Sequence, residues 1–328
     1  MRARDLKARL RRLSADLTDA WGAVLASLLI LLRPIVRIEV QRIWTSRIGH
    51  LTFEPEIWLC RRERRPRRRT ITLFYARDEV CNPFLVGKWR EILHFGPRWL
   101  LAPIFRAGER WPRLDVLPPD WEYAHGELRD LRSSGPHIRL TAEDMARGRA
   151  LLQAMGLAED QPFVCLAIRD GAYLTRLEAT RDWSYHNYRD SRIGSYAQLA
   201  REFAEAGYAV LRMGALVSEP FDGGHRNIID YANSPFRSDF GDVFLFSQCA
   251  ACISTSTGMD AIARVFQRPL ILANLAAGGC QVGGSLKLVM YKGLFADGSD
   301  AQLPLLDPRR LESQNYFRAA DWQKAGLQ

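Results

Sequence analysis

The sequence predicts an α/β protein whose C-terminal half is a doubly wound parallel sheet. Three observations carry this expectation. Short continuous apolar runs such as "PFVCLAI" (162–168) suit parallel strands covered on both faces. Amphipathic runs of helical period alternate with them. A corner of four hydroxyl residues and a glycine, "STSTG" (254–258), stands where one such strand passes into a helix-like run.

The chain has 328 residues, 47% hydrophobic and 25% charged, enough for two cores. Its net charge of +9 is concentrated in two places: residues 1–12 carry a net +5 and "RRERRPRRR" (61–69) a net +6, leaving about −2 for the rest. The bulk is therefore not basic, and a nucleic-acid partner is not expected. Thirteen uncharged residues follow the first patch, "AWGAVLASLLILL" (20–32), too few for a bilayer span of roughly 20. Asp16 and Asp19 before this run and Arg33, Arg37 and Glu39 after it argue against a secretory signal. Two readings of residues 1–36 stand side by side: a buried helix with a solvated basic start, or a basic amphipathic anchor on an anionic membrane face. The arginine run reads as an exposed loop tip between two strands, "EIWLC" (56–60) and "TITLFYA" (70–76), with attraction to phosphate-bearing lipid or glycan as the alternative.

"NPFLVGKWREIL" (82–93) reads as a helix, and 95–135, rich in Pro, Trp and Gly, as an inter-domain region. Thr141, three residues before Asp144, has N-cap spacing at the head of "TAEDMARGRALLQAMG" (141–156). After strand 162–168, "SYAQLAREFAEAGY" (195–208) puts Tyr196, Leu199, Ala200 and Phe203 on one stripe and stops at Gly207. Strand "AVLRM" (209–213), short strand "NIIDY" (227–231), helix "DVFLFSQCA" (242–250), strand "ACIS" (251–254), helix "GMDAIARVF" (258–266) and strand "PLILA" (269–273) complete the alternation. The expected organisation is residues 1–36 as a helical segment, 37–140 as an N-terminal acceptor-side α/β domain, and 141–328 as a nucleotide-sugar-binding domain.

In open α/β sheets ligands gather at the carboxyl ends of the strands, where helix starts offer free N–H groups to anions. Ser254, Thr255, Ser256, Thr257 and Gly258 therefore read as a diphosphate cradle, more hydroxyls than one helix cap requires. "IRD" ends strand 162–168, placing Arg169 and Asp170 at an equivalent edge, and Arg212 ends strand 209–213. Arginine forks match phosphate oxygens. The chain has no G-x-x-x-x-G-K-[ST], no G-x-G-x-x-G and no G-x-S-x-G, which argues against a P-loop nucleotidase, a nicotinamide site and a hydrolase elbow. Six scattered histidines without H-x-x-x-H give no zinc spacing, so no metal and no resident cofactor is expected. The six cysteines read as small buried hydrophobes in a reducing, cytoplasmic compartment.

"FLFSQCAACISTSTGMDAIARVF", with "IRD" at the earlier strand end, resembles the C-terminal half of GT-B glycosyltransferases. Among these it is most like the α1,6-fucosyltransferase and nodulation-fucosyltransferase group. The succession "IRDGAYL", "YHNYRDS", "VLRMG", "IIDYANSPFRSDFGDVFL" and "STSTGMD", with "RIGHL" (47–51), is similar to a bacterial glycosyltransferase family linked with surface-polysaccharide gene clusters. The resemblance implies a GT-B-like fold, two Rossmann-like α/β domains with a cleft between them. It implies a nucleotide sugar as co-substrate and a glycan or lipid-linked acceptor. It places Arg169 on the donor diphosphate, Ser256, Thr257 and Gly258 around it, and Asp239 near the nucleoside or positioning Arg169. Ala167 and Asp170 stand where the fucosyltransferase pattern has a histidine and a second arginine. No D-x-D motif is present, in keeping with a metal-independent reaction. His50, Asp78 and His186 are the candidates for the acceptor's base. A non-catalytic phosphoglycan- or nucleotide-binding module and a sugar-nucleotide epimerase are the competing classes. The location expected is cytoplasmic, with the first residues in peripheral contact with the inner membrane face.

Overall fold

The computed structural model describes residues 3–67, 69–118, 131, 135–177, 182, 184–275, 286–300, 302–303 and 319–327; side chains 1–15 and those of a few other residues lie outside this description. The chain divides into two compact units, Met1–His125 and Gly126–Gln328. The division falls before residue 140, and residues 1–36 belong to the first unit rather than forming a segment of their own.

The first unit holds a parallel sheet ordered β1 (Arg37–Ile43), β2 (Thr70–Ala76), β3 (His94–Phe95). Helix α2 (Ile48–Arg64) crosses over from β1 to β2, and α3 (Pro83–Ile92) from β2 to β3. Here the expected strand 56–60 is helix instead. A short apolar run fits either element, and the surrounding residues decide. Leu51, Thr52, Pro55, Glu56, Ile57 and Cys60 are buried at helical spacing. Pro55 has no N–H to donate, so the carbonyl of Leu51 loses its helical partner. The indole Nε1–H of Trp89, from α3, donates to that carbonyl at 2.8 Å. The arginine run is consequently the last turn of α2 and its exit into β2, not a tip between strands. Much of it is engaged: Arg62 donates to the carbonyls of Arg67 (3.2 Å) and Thr70 (2.7 Å), and Arg67 pairs with Glu39 at 2.8 Å. Glu39 is fully buried in β1, and Arg37 pairs with it too. Helix α4 (Arg98–Arg110) packs against α1 (Ala3–Leu31), and Ala26, Leu101, Ile104 and Phe105 form a core with Val40 and Tyr75.

The second unit carries a six-stranded, wholly parallel sheet, ordered β6-β5-β4-β7-β8-β9. The strands are β4 (Phe163–Ala167), β5 (Ala209–Arg212), β6 (Ile228–Ile229), β7 (Ala251–Ser254), β8 (Leu270–Leu275) and β9 (Leu286–Tyr291). From β4 the chain steps outward through β5 to β6, then returns beside β4 at β7 and continues the other way. The winding thus reverses between β4 and β7, the topological switch point of a doubly wound sheet. Helix α5 (Ala142–Ala154) opens on a capping box between Thr141 and Asp144, as the spacing predicts. A short helix α6 (Ala172–Leu177) follows β4; α7 (Ala197–Glu205) leads into β5, α8 (Asp239–Gln248) into β7, and α9 (Asp260–Val265) into β8. The α5–α8 contact closes at Gly148, where any Cβ would collide with the Phe244 ring. Cys249 and Cys252 stand at C-x-x-C spacing, which the sequence reading passes over. Both are fully buried, and burial pushes the Cys252 thiol well up, so the pair is packing rather than a redox motif.

Candidate functional site

The carboxyl ends of β4 and β7 meet at the switch point, and the hydroxyl corner is tied directly to Arg169. Ala167 and Ser254 are register partners in the two strands. The backbone N–H of Thr255 donates to the Ala167 carbonyl at 3.2 Å, and the N–H of Arg169 donates to Thr255 Oγ1 at 2.8 Å. The corner itself is largely self-satisfied. Ser254 is fully buried; its hydroxyl donates to Asp260 at 2.7 Å and accepts from the N–H groups of Ser256 (3.1 Å) and Thr257 (3.3 Å). Thr257 Oγ1 accepts from the Met259 N–H at 3.2 Å. Three of the four hydroxyls therefore shape the turn. Ser256 takes a left-handed backbone, φ 63°, at the tip of the turn, and Gly258 is exposed beside it. Helix α9 is only six residues long, so an anion here would rely on side-chain cations more than on a helix dipole.

Two guanidinium groups supply that charge. Arg169 is mostly buried, its Nε 3.1 Å from Asp190 Oδ1. Arg189 donates through Nη2 to the Ser256 carbonyl at 2.9 Å. Burial lowers the pKa of Arg169, and the positive charge of Arg189 lowers it further, against the opposing pull of Asp190. Lys292, at the end of β9, donates to the carbonyls of Tyr188 (2.8 Å) and Asp190 (2.9 Å), fixing the segment that presents Arg189. Asn274, at the end of β8, donates to Ser191 Oγ at 2.7 Å, and the Ser191 N–H donates to the Arg169 carbonyl at 3.0 Å. Burial raises Asp190, while Arg169 works against that rise.

Other expected site residues have different duties. Arg212 is fully buried; Nη1 contacts Asp230 Oδ1 at 3.1 Å and the Glu219 carbonyl at 3.2 Å, and Nη2 lies 3.8 Å from Asp170. These contacts lock the loop after β5. Asp170 accepts from the N–H and hydroxyl of Ser218 (2.9 and 3.1 Å) and from the Ala172 N–H (3.0 Å), binding two loops together. Asp239, in the first turn of α8, lies 3.6 Å from Arg237, and the carboxylate placed against Arg169 is that of Asp190. Sequence reasoning missed Arg189, Asp190 and Lys292. The signal was partly visible, since "YHNYRDS", one of the segments that carry the family resemblance, holds an Arg-Asp pair.

In the first unit, His50 opens α2 and Asp78 follows β2. His50 Nδ1 lies 2.8 Å from Glu54 Oε1, with the Trp44 ring centroid 4.7 Å from that of the imidazole. Glu54 Oε2 also accepts from the Trp44 N–H at 3.2 Å. A carboxylate can only accept, so the His50–Glu54 contact calls for a proton on Nδ1. Asp78 and Thr45 clasp the ends of β2 and β1, the Thr45 hydroxyl donating to the Asp78 carbonyl at 2.7 Å. His186 lies in the 3-10 turn Ser184–Arg189, its side chain outside the described residues.

No protein-family profile and no curated protein matches the chain. Solved structures resemble it at low identity. The Escherichia coli ADP-heptose lps heptosyltransferase II aligns at TM-score 0.47 and 16% identity, covering 84% of this chain and 97% of its own. A glycosyl transferase family 9 protein from Veillonella parvula aligns at TM-score 0.42 and 9% identity, covering 78% and 86%. The iron-containing dodecameric glycosyltransferase TibC from enterotoxigenic E. coli aligns at TM-score 0.39 and 11% identity, covering 88% and 76%. None of these three is a fucosyltransferase by name, so the narrower fucosyltransferase likeness gains nothing from them.

Proposed function

We propose that the chain is a glycosyltransferase of GT-B type. In this reading it moves a sugar from a nucleoside-diphosphate donor to a glycan or lipid-linked acceptor in surface-polysaccharide synthesis. The observation that carries the proposal is the coincidence of three features at one place: the switch point of a doubly wound sheet, the left-handed Ser256 turn, and two guanidinium groups at that turn, Arg169 whose backbone N–H bonds Thr255 and Arg189 on the Ser256 carbonyl. Two cations held together at a strand edge want an anion between them. A departing nucleoside diphosphate develops negative charge, and preorganised donors that meet it lower the barrier by several kcal/mol. Arg169 and Arg189 serve that role without a required metal, so turnover is expected to survive a chelator. Of the three base candidates, His50 is the one whose ring a neighbouring carboxylate, Glu54, orients.

The test is a thermal-shift series with ADP, GDP, UDP, CDP and dTDP, followed by acceptor-free release of nucleoside diphosphate from the matching sugar nucleotides. Bound nucleotide raises the melting temperature in proportion to RT ln(1 + [L]/Kd). Stabilisation with slow release supports a transferase. Stabilisation without release would favour a binding module, and no response to any nucleotide would defeat the site assignment.

A further inference from the structure

Helix α1 leaves one face without a partner in the described structure. Leu17, Trp21, Val24, Leu28 and Leu31 follow one another at steps of four and three, and each is 51–74% exposed. The opposite face is committed. A Cβ on Gly22 would collide with the Pro103 carbonyl, Ala26 is fully buried, and Leu25, Leu29 and Ile30 pack into the α1–α4 core. Asp19, on that same side, pairs with Arg106 (3.4 Å) and Arg110 (3.0 Å). The exposed stripe therefore cannot turn inward without unpacking the helix. Toward the N-terminus the sequence keeps the spacing with Leu13, Leu10 and Leu6, now among Arg2, Arg4, Lys7, Arg9, Arg11 and Arg12.

We propose that this face of α1 docks on an anionic phospholipid bilayer, lying in the plane of the interface with Trp21 among the headgroups. Charge selects this occupant. Six cations cluster at the N-terminal end of the stripe, from Ala20 to Leu32 no charge flanks it, and Arg33 and Arg37 beyond it are paired with Asp115. A coiled-coil seam between two copies would be flanked by charges of both signs along its length. No helix among the described residues is long and apolar enough to cross a membrane, so the helix rests on the surface. The inference is independent of the sugar-transfer reading.

The test uses the full chain sedimented with vesicles of phosphatidylcholine alone or mixed with phosphatidylglycerol, at low and high salt. Binding is expected only to the mixed vesicles and to weaken with salt. Arg9→Gln and Arg12→Gln should each weaken partitioning roughly fivefold, and the combination Leu17→Gln, Trp21→Gln, Leu28→Gln by at least about tenfold. Leu17, Trp21 and Leu28 are exposed and lie off the α4 contact, so an unchanged circular-dichroism melt confirms intact folding. Absence of the full chain from both vesicle pellets overturns the proposal. So does binding that the triple variant leaves intact, or a dimer in sedimentation equilibrium that the triple variant dissociates without vesicle binding having been seen.

Discussion

Arg169 and Arg212 leave neighbouring strands at the same edge of one sheet, and their surroundings give them separate tasks. Arg212 has its charge matched internally by Asp230 and Asp170. Removing one partner of a buried pair strands the other, so Arg212→Met is expected to lower stability by about 3–5 kcal/mol in urea unfolding. Arg169 pairs with Asp190 but also has a second cation, Arg189, acting on it. Arg169→Ala is expected to cost less stability than Arg212→Met, because Asp190 is more exposed than the partners of Arg212, while weakening nucleotide binding by about 2–5 kcal/mol by calorimetry. Equal losses of stability in both variants would show that Arg169 too is a structural cation. Both arginines stand out in the sequence at strand ends; what distinguishes them is the loop carboxylate each meets, contributed from tens of residues away.

At the level of elements, two helices depend on side chains borrowed from elsewhere. Helix α2 tolerates Pro55 because Trp89 satisfies the freed Leu51 carbonyl. Trp89→Phe keeps much of the ring volume but abandons that carbonyl, and about 1–3 kcal/mol of stability should be lost in denaturant unfolding. Helix α8 carries Asp242 almost wholly buried, with Arg237 at 2.8 Å. Burial raises its pKa to about 6, with Arg237 pulling the other way. The folded state therefore holds this proton more tightly than the unfolded chain does. Its contribution to stability is full below about pH 4 and is lost as the pH rises toward about 6, amounting to about 2–3 kcal/mol. Comparing unfolding of wild type and Asp242→Asn across that range should show the extra slope in wild type alone. The strand expected at 56–60 shows why element type was only partly legible: five apolar residues do not separate strand from helix, and β1 escaped notice because its buried Glu39 looks like a surface residue until Arg37 and Arg67 neutralise it.

For the molecule as a whole, the first helix is part of a core and not a removable leader. Deleting residues 1–36 uncovers Leu101, Ile104 and Phe105 beneath α1. The truncated chain is expected to melt lower and to bind a hydrophobic dye, whereas the exposed-face variants should do neither. A truncation that melts like the full chain would contradict the packing of α1 on α4. Each unit keeps its sheet wholly parallel, as the crossover helices demand.

By itself the sequence determined the alternation of elements in the second unit, the capping box at Thr141, the parallel character of the buried strands and the place of the hydroxyl corner. These follow from local periodicity and from hydrogen bonding between residues a few positions apart. Only the tertiary structure decided that most of those hydroxyls serve the turn, that Arg212 is buried, and that Arg189 reaches the Ser256 carbonyl. Such outcomes depend on which distant charge arrives beside a buried group, and burial makes an unmatched charge too costly to leave to chance.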